Sequence, residues 1–248
     1  MKVLSLFSGI AGLCEEGIKI ANLDHRFKVK QFVECSGYAA KHLRKTYPLI
    51  DVHDNIKTFT GEANEFDIVC GGVPCQGSSN AGDRQGLADS RTGLWSEMFR
   101  IISKVRPKFV LLENPPGLAA RGLITILRQL DSIRYLGEWT TISAQEVGLP
   151  HLRKRIFLIA NPYGLQFKEQ PTSWADQVRA SVKEVRESEQ IRVYQPGATQ
   201  VGDGVSVEVA KGLPGNFEAR RAYGLSCSPR QSAVAWKRID YLRTLIKE

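Results

Sequence analysis

The stretch "KVLSLFSGIAG" (residues 2–12) decides how the chain is read. Its first half has the apolar character of a buried strand, and its second half is a glycine turn. Such a turn lets backbone N–H groups approach a ligand closely, with a helix N-terminus behind them. On its own the pattern fits any nucleotide-binding turn, or simply a tight turn, so residues further along the chain must distinguish these.

Four more apolar runs have strand character: "FKVKQFVE" (27–34), "FDIVCG" (66–71), "KFVLLEN" (108–114) and "RIFLIA" (155–160). Helical periodicity lies between them. Leu94, Met98, Ile101, Ile102 and Val105 share one helix face, and Leu123, Ile126, Leu127, Leu130 and Ile133 repeat the pattern over 122–134. Strands alternating with helices predict an α/β Rossmann-like domain, a mostly parallel sheet with helices on both faces. After Ala160 the composition turns polar and aperiodic, which predicts a small irregular segment over 161–222. A last helix follows, with Ser228 as N-cap and Pro229 at its first position.

The 248 residues suffice for one full-sized domain with a sound core. No apolar run is long enough to span a bilayer, and the first residues are too short an apolar stretch for a secretory signal. A net charge of +8, spread along the chain, favours a polyanionic partner such as nucleic acid. The five cysteines (14, 35, 70, 75 and 227) form no CxxC pair, and only four histidines accompany them. That argues against structural zinc and for a reducing interior.

Chemistry-bearing residues cluster where strands end. Glu34 closes the second strand, where a carboxylate in a doubly wound fold takes ribose hydroxyls. In "HDNI" (53–56), Asp54 is placed to accept a hydrogen bond from an adenine amino group, which makes an adenosine-type cofactor the better reading of the set. "GGVPCQ" (71–76) puts Cys75 beyond the apolar run, on a turn that suits a nucleophile better than a packed thiol. "LLENPPG" (111–117) ends a strongly apolar strand with Glu113 and Asn114, and apolar surroundings predict that Glu113 holds its proton more tightly than in water. In "PHLRKRIFLIA" (150–160), Arg153 and Arg155 share one face of an extended segment, an arrangement suited to phosphate or carboxylate.

In this order the motifs resemble the cytosine-C5 DNA methyltransferase family, over residues 1–160 and again at 222–246. "FSGIAG" is similar to that family's S-adenosylmethionine loop, "PCQ" to its nucleophile motif, "EN" to its acid motif and "HLRKR" to its two-arginine strand. "DSRTGLW" (89–95) resembles the helix start after the catalytic loop, and "GLSCSP" (224–229) the final motif that rejoins the cofactor site. The resemblance implies S-adenosyl-L-methionine held by Phe7, Ser8, Gly9, Ile10, Gly12, Leu13, Glu34, Cys35, Asp54, Asn55, Ile56, Pro74, Leu94, Ser226 and Cys227. It implies Cys75, Glu113, Arg153 and Arg155 as catalytic residues, and Gln76, Ser79, Arg91 and Asn114 as contacts to DNA or its base. Residues 77–93 would close over DNA, and a target base would have to leave the duplex to reach the pocket.

The implied organisation is a cofactor-binding and catalytic domain at 1–160, a short target-recognition segment at 161–222, and a C-terminal helix at 223–248 returning to the first domain. The implied partner is double-stranded DNA, bound by a monomer in the cytoplasm of a bacterial or phage-infected cell. Some positions depart from the family pattern: Ser78 for a phenylalanine, Pro115 for a valine, His151 for a glutamine, Leu225 for an asparagine and Ala11 for a glycine. Two other functions fit the same motifs. One is a tRNA cytosine-C5 methyltransferase of this fold, although the Cys-Phe-Thr tripeptide usual in that branch is missing. The other is a catalytically silent relative that binds DNA or cofactor.

Overall fold

The computed structural model describes residues 1–74, 93–188 and 227–247. Seven strands form one sheet in the order β3-β2-β1-β4-β5-β7-β6. They are β1 (Lys2–Leu6), β2 (Lys28–Val33), β3 (Asp51–His53), β4 (Ile68–Gly71), β5 (Phe109–Asn114), β6 (Tyr135–Ser143) and β7 (Lys154–Pro162). The first five pair in parallel. β7 runs antiparallel between β5 and β6.

The strand order leaves β1 in two directions, toward β2 on one side and β4 on the other. The crevice at this reversal, beyond the carboxyl ends of β1 and β4, is where open α/β sheets bind ligands. Residues 7–13, and residues 72–74 ahead of Cys75, leave the sheet at this point.

Both faces of the sheet are covered, so the central strands are apolar on both sides. In β5, Phe109 and Leu111 pack into one core with Ile18, Trp236 and Ile239. The alternate residues Val110 and Leu112 pack into a second core with Met98, Ile102 and Ile126. This period of two lets one short strand serve two cores.

The helices are α1 (Glu15–Ile20), α2 (Gly37–Thr46), α3 (Gly93–Val105), α4 (Gly117–Arg121), α5 (Leu123–Ser132), α6 (Trp174–Glu187) and α7 (Pro229–Leu245). α3, α5 and α7 lie where periodicity and capping residues place them, and Pro229 opens α7. Ser228 is its N-cap by backbone conformation, but its side chain makes no cap bond.

Three elements depart from the sequence reading, the shortest being the three-residue edge strand β3, which that reading does not include. Residues 174–187, inside the stretch expected to be irregular, form the fourteen-residue helix α6. Its signals are present but sparse: Ser173 Oγ accepts the Asp176 N–H at 3.3 Å, and Trp174, Val178, Val182 and Val185 supply a thin apolar stripe. β6 went unread because Gly137, Glu138, Thr140 and Thr141 break its apolar pattern, as an edge strand permits.

α7 is buried nearly all round and ties distant parts of the chain together. Gly17 makes room for it, since a Cβ there would lie 2.0 Å from Ser232 Oγ. Arg238, 2% exposed, grips both carboxylate oxygens of Glu138 at 2.6 and 2.8 Å and donates to Gln177 Oε1 at 2.7 Å, joining α7 to β6 and α6.

Candidate active site

The glycine loop after β1 holds three residues in the left-handed region: Phe7 (φ 51°), Gly9 (φ 54°) and Ala11 (φ 67°). Its turn is fastened from inside by the buried Ser8, whose hydroxyl donates to the Ser5 carbonyl at 2.8 Å. Above Gly9 the space is open among the described residues, for a Cβ built there meets none of their atoms within 4 Å. Ile10 and Leu13 turn into the protein and are buried.

Glu34, at the end of β2, faces this loop. Its Oε2 accepts the Gly9 N–H at 2.7 Å and its Oε1 accepts the Ser36 N–H at 2.8 Å. A carboxylate offers about four lone-pair sites, so this brace leaves acceptor capacity for hydroxyl groups. Cys35 beside it is exposed.

The third loop follows β3. Asp54 is exposed there and pairs with Arg44 of α2 at 2.6 Å, through one carboxylate oxygen. Asn55 shapes the turn, its side-chain oxygen accepting from the Lys57 N–H and its carbonyl from the Thr58 and Phe59 N–H groups. Ile56 is buried and anchors the loop in the core shared by α3.

Arg100, which the sequence reading missed, clamps this loop from α3. One of its terminal nitrogens donates to the Ile56 carbonyl at 2.9 Å and the Phe59 carbonyl at 3.0 Å. In sequence it looks like an ordinary polar residue beside an apolar stripe. Leu94, in the first turn of α3, and Phe7 both lie partly buried at the rim of that core.

The fourth wall comes from α7 and the residues just before it. The Cys227 carbonyl packs on Gly12 so closely that a Cβ there would approach it to 2.5 Å. Ser232 Oγ donates to the Gly12 carbonyl at 3.1 Å, and Trp236 Nε1 to the Leu13 carbonyl at 2.7 Å. Cys227 thus lies against the glycine loop, from the far end of the chain.

On the other side of the crevice lies Glu113. It ends β5 on the face of Phe109 and Leu111, is 7% exposed, and stands opposite Phe157 of β7. Arg155, two residues before Phe157, shares that face, and its Nε comes to 2.7 Å from Glu113 Oε1. The Glu113 carboxyl is raised above its ordinary pKa because burial penalises the charge, and Arg155 and Arg153 offset only part of that cost. The direction is the one expected from the sequence.

Glu113 also presses against β4. A Cβ on Gly72 would lie 2.8 Å from Glu113 Oε2, so glycine is what allows the carboxyl to lie there. Gly72 precedes Val73 and Pro74, the last described residues before Cys75. Asn114, next to Glu113, is buried at the strand end.

Cys75, Gln76, Ser79, Arg91 and Ser226 lie outside the described residues. Of the remaining predicted residues, the structure gathers the cofactor set around the end of β1 and the acid–arginine set around the end of β5. The open space over Gly9, the braced Glu34 carboxylate, the exposed Asp54 and the apolar rim of Phe7 and Leu94 fit an adenosyl group with a hydrophobic flank.

Comparison with known proteins bears on this arrangement. Residues 1–216 match the family model described as C-5 cytosine-specific DNA methylase. Type II methyltransferase M.NgoBV of Neisseria gonorrhoeae is 34% identical over 178 residues, covering 64% of this chain and 40% of its own. Type II methyltransferase M.BanI of Aneurinibacillus aneurinilyticus is 28% identical over 250 residues, covering 91% of this chain and 56% of its own. The chain thus spans about 40% of the length of M.NgoBV. Among solved structures, the Entamoeba histolytica methyltransferase EhMeth superposes with a TM-score of 0.67 at 15% identity, covering 98% of both chains. S. pombe Dnmt2 gives a TM-score of 0.60 at 17% identity. At these identities the two structures speak for the fold.

Proposed function

The chain belongs to the C-5 cytosine-specific DNA methylase family, and from that premise we propose that it is a DNA cytosine-C5 methyltransferase using S-adenosyl-L-methionine. The observation that carries the reading is the buried Glu113, paired with Arg155 and pressed against the strand end that leads into Cys75. A carboxyl held there with a raised pKa suits contact with a ring nitrogen.

The glycine loop 7–13, Glu34 and residues 54–56 would hold the cofactor, with Pro74, Leu94 and Cys227 completing its walls. When bound, S-adenosylmethionine supplies an electrophilic methyl group, which cytosine C5 takes once it has become nucleophilic. Cys75 makes it so: its thiolate adds to C6, and electron density moves toward C5 and N3. Glu113 donates to N3 and stabilises the charge developing there, while Arg155, with Arg153, orients Glu113 and contacts the base oxygen or the neighbouring phosphate. A base takes the C5 proton, the C5–H electron pair re-forms the C5–C6 double bond, and the Cys75 sulfur leaves as thiolate. Asn114, Gln76, Ser79 and Arg91 would contact the base or the DNA.

Double-stranded DNA is the partner that chemistry and charge favour, bound by a single chain, with residues 161–222 contacting the target and 223–248 closing the cofactor site. The test is covalent trapping. The protein and S-adenosylmethionine are incubated with duplex DNA containing 5-fluorocytosine, beside Cys75→Ala and a tRNA substrate. Fluorine cannot leave as a proton does, so an active enzyme stays bonded to its substrate. A Cys75-dependent DNA adduct is expected. An adduct on tRNA alone, or none from folded protein that binds cofactor, would overturn the reading.

A further inference from the structure

We propose that Gln231 is a positioning residue that holds Arg153 and Arg155 against Glu113, by tying the ends of β6 and β7 together from the first turns of α7. The inference rests on the function proposed above for those three residues; Gln231 itself touches neither base nor cofactor.

The β6–β7 ladder ends at Ser143 and Lys154, where the strands part into the loop 144–153. Ladder ends fray unless something holds them. Here the side chain of Gln231, fully buried, reaches the end of the ladder. Its Nε2 donates to the Ile142 carbonyl at 2.7 Å and to the Arg153 carbonyl at 2.9 Å. Ile142 is the cross-strand partner of Arg155, so the amide holds the backbone at both arginines.

The Arg153 carbonyl accepts a second bond, from the Ala144 N–H at 2.8 Å. One residue earlier, Arg230 reaches the Gly148 carbonyl at 3.4 Å, at the tip of the same loop. The next residue, Ser232, bonds the Gly12 carbonyl of the glycine loop. One turn of α7 thus touches both halves of the crevice.

The chemistry of the amide argues for a specific task. Both its N–H groups are used, yet its Oε1 is buried without a hydrogen-bond partner among the described residues. An unmet acceptor costs stability, so a residue chosen only to fill this space would be apolar. Glutamine is explained by the two donors it brings to two carbonyls on different strands.

The charged groups that act on Glu113 among the described residues are Arg155 and Arg153, both on β7 or the residue leading into it, while the neighbour after β4 is the uncharged Gly72. Loosening the end of β7 removes cations from Glu113 and leaves its desolvation intact. The carboxyl then holds its proton to higher pH.

Gln231→Met keeps the volume and loses both donors, and Gln231→Asn keeps the donors on a shorter arm. The readout is the pH titration of the Glu113 carboxyl carbon in protein carrying 13C-labelled glutamate, without cofactor or DNA. Glu113→Gln identifies the signal. The midpoint should move to higher pH in Gln231→Met, and single-turnover methyl transfer at saturating DNA and cofactor should fall by about 100-fold, the scale of an ångström of misplacement. Gln231→Asn should fall between the two. An unmoved Glu113 midpoint in folded Gln231→Met overturns the inference.

If neither variant folds, hydrogen exchange of the Gln231 side-chain amide in the native chain decides. Protons exchanging as fast as those of a solvated glutamine overturn the inference, and protected protons support it. A native chain that transfers no methyl group would refute the proposed function instead, leaving the titration to judge Gln231 alone.

Discussion

Gly72→Ala tests the architecture of the site with one methyl group. A Cβ at this position would stand 2.8 Å from Glu113 Oε2, where ordinary contact begins at 3.4 Å, so the carboxyl must retreat by about 0.6 Å. It cannot do so freely, because Arg155 holds its other oxygen at 2.7 Å and the residue is buried. Overpacking of this kind costs about 1–3 kcal/mol. In a domain of this size each kcal/mol lowers Tm by about 2–4 °C. An ångström of misplacement at a reacting centre costs about 100-fold in rate, so this shift should lower single-turnover methyl transfer by about 10- to 100-fold. The assay follows transfer of labelled methyl from S-adenosylmethionine to DNA, with cofactor affinity measured on the same preparations. Affinity should hold, because the residues proposed to hold the cofactor lie mostly at the ends of β1, β2 and β3, and the atoms that a Cβ on Gly72 meets are those of Glu113. A Gly72→Ala protein with native rate would show that Glu113 is not held by this contact, and the geometry proposed for the acid would fail.

Two further outcomes rest on the same residues. Because burial raises the pKa of Glu113, the folded chain keeps this proton at pH values where the unfolded chain has lost it, and stability falls as pH rises from the ordinary carboxylate range through the folded value. Glu113→Gln removes that dependence, so urea midpoints across this window should move in the variant's favour as pH rises; a constant gap would refute the direction. Arg100→Met frees the Ile56 and Phe59 carbonyls from their clamp and should weaken cofactor binding about tenfold, the worth of about one charged hydrogen bond. Calorimetry measures that affinity, and a loss of rate at saturating cofactor with unchanged affinity would assign Arg100 elsewhere.

What the sequence determined by itself is the α/β class and the strand ends at which its candidate residues lie. Strands such as "KFVLLEN" are apolar on both faces, which only a sheet covered on both sides explains, and the polar residues that interrupt them come at the strand ends where such sheets bind ligands. Those are local facts, readable from neighbouring residues. Tertiary structure decided the rest. Glu113 meets Arg155 because β7 runs antiparallel to β5 in a register that puts Phe157 opposite Glu113, and no local pattern states a register. Gly72, Arg100 and Gln231 act on atoms of remote segments, so their roles leave no mark in their own surroundings. Polar edges and thin stripes, as in β6 and α6, hide elements that form only because α7 and the sheet cover their apolar sides. The glycine loop shows the division most plainly: its turn is written in "FSGIAG", and its wall, Cys227 and Ser232, arrives from the opposite end of the chain.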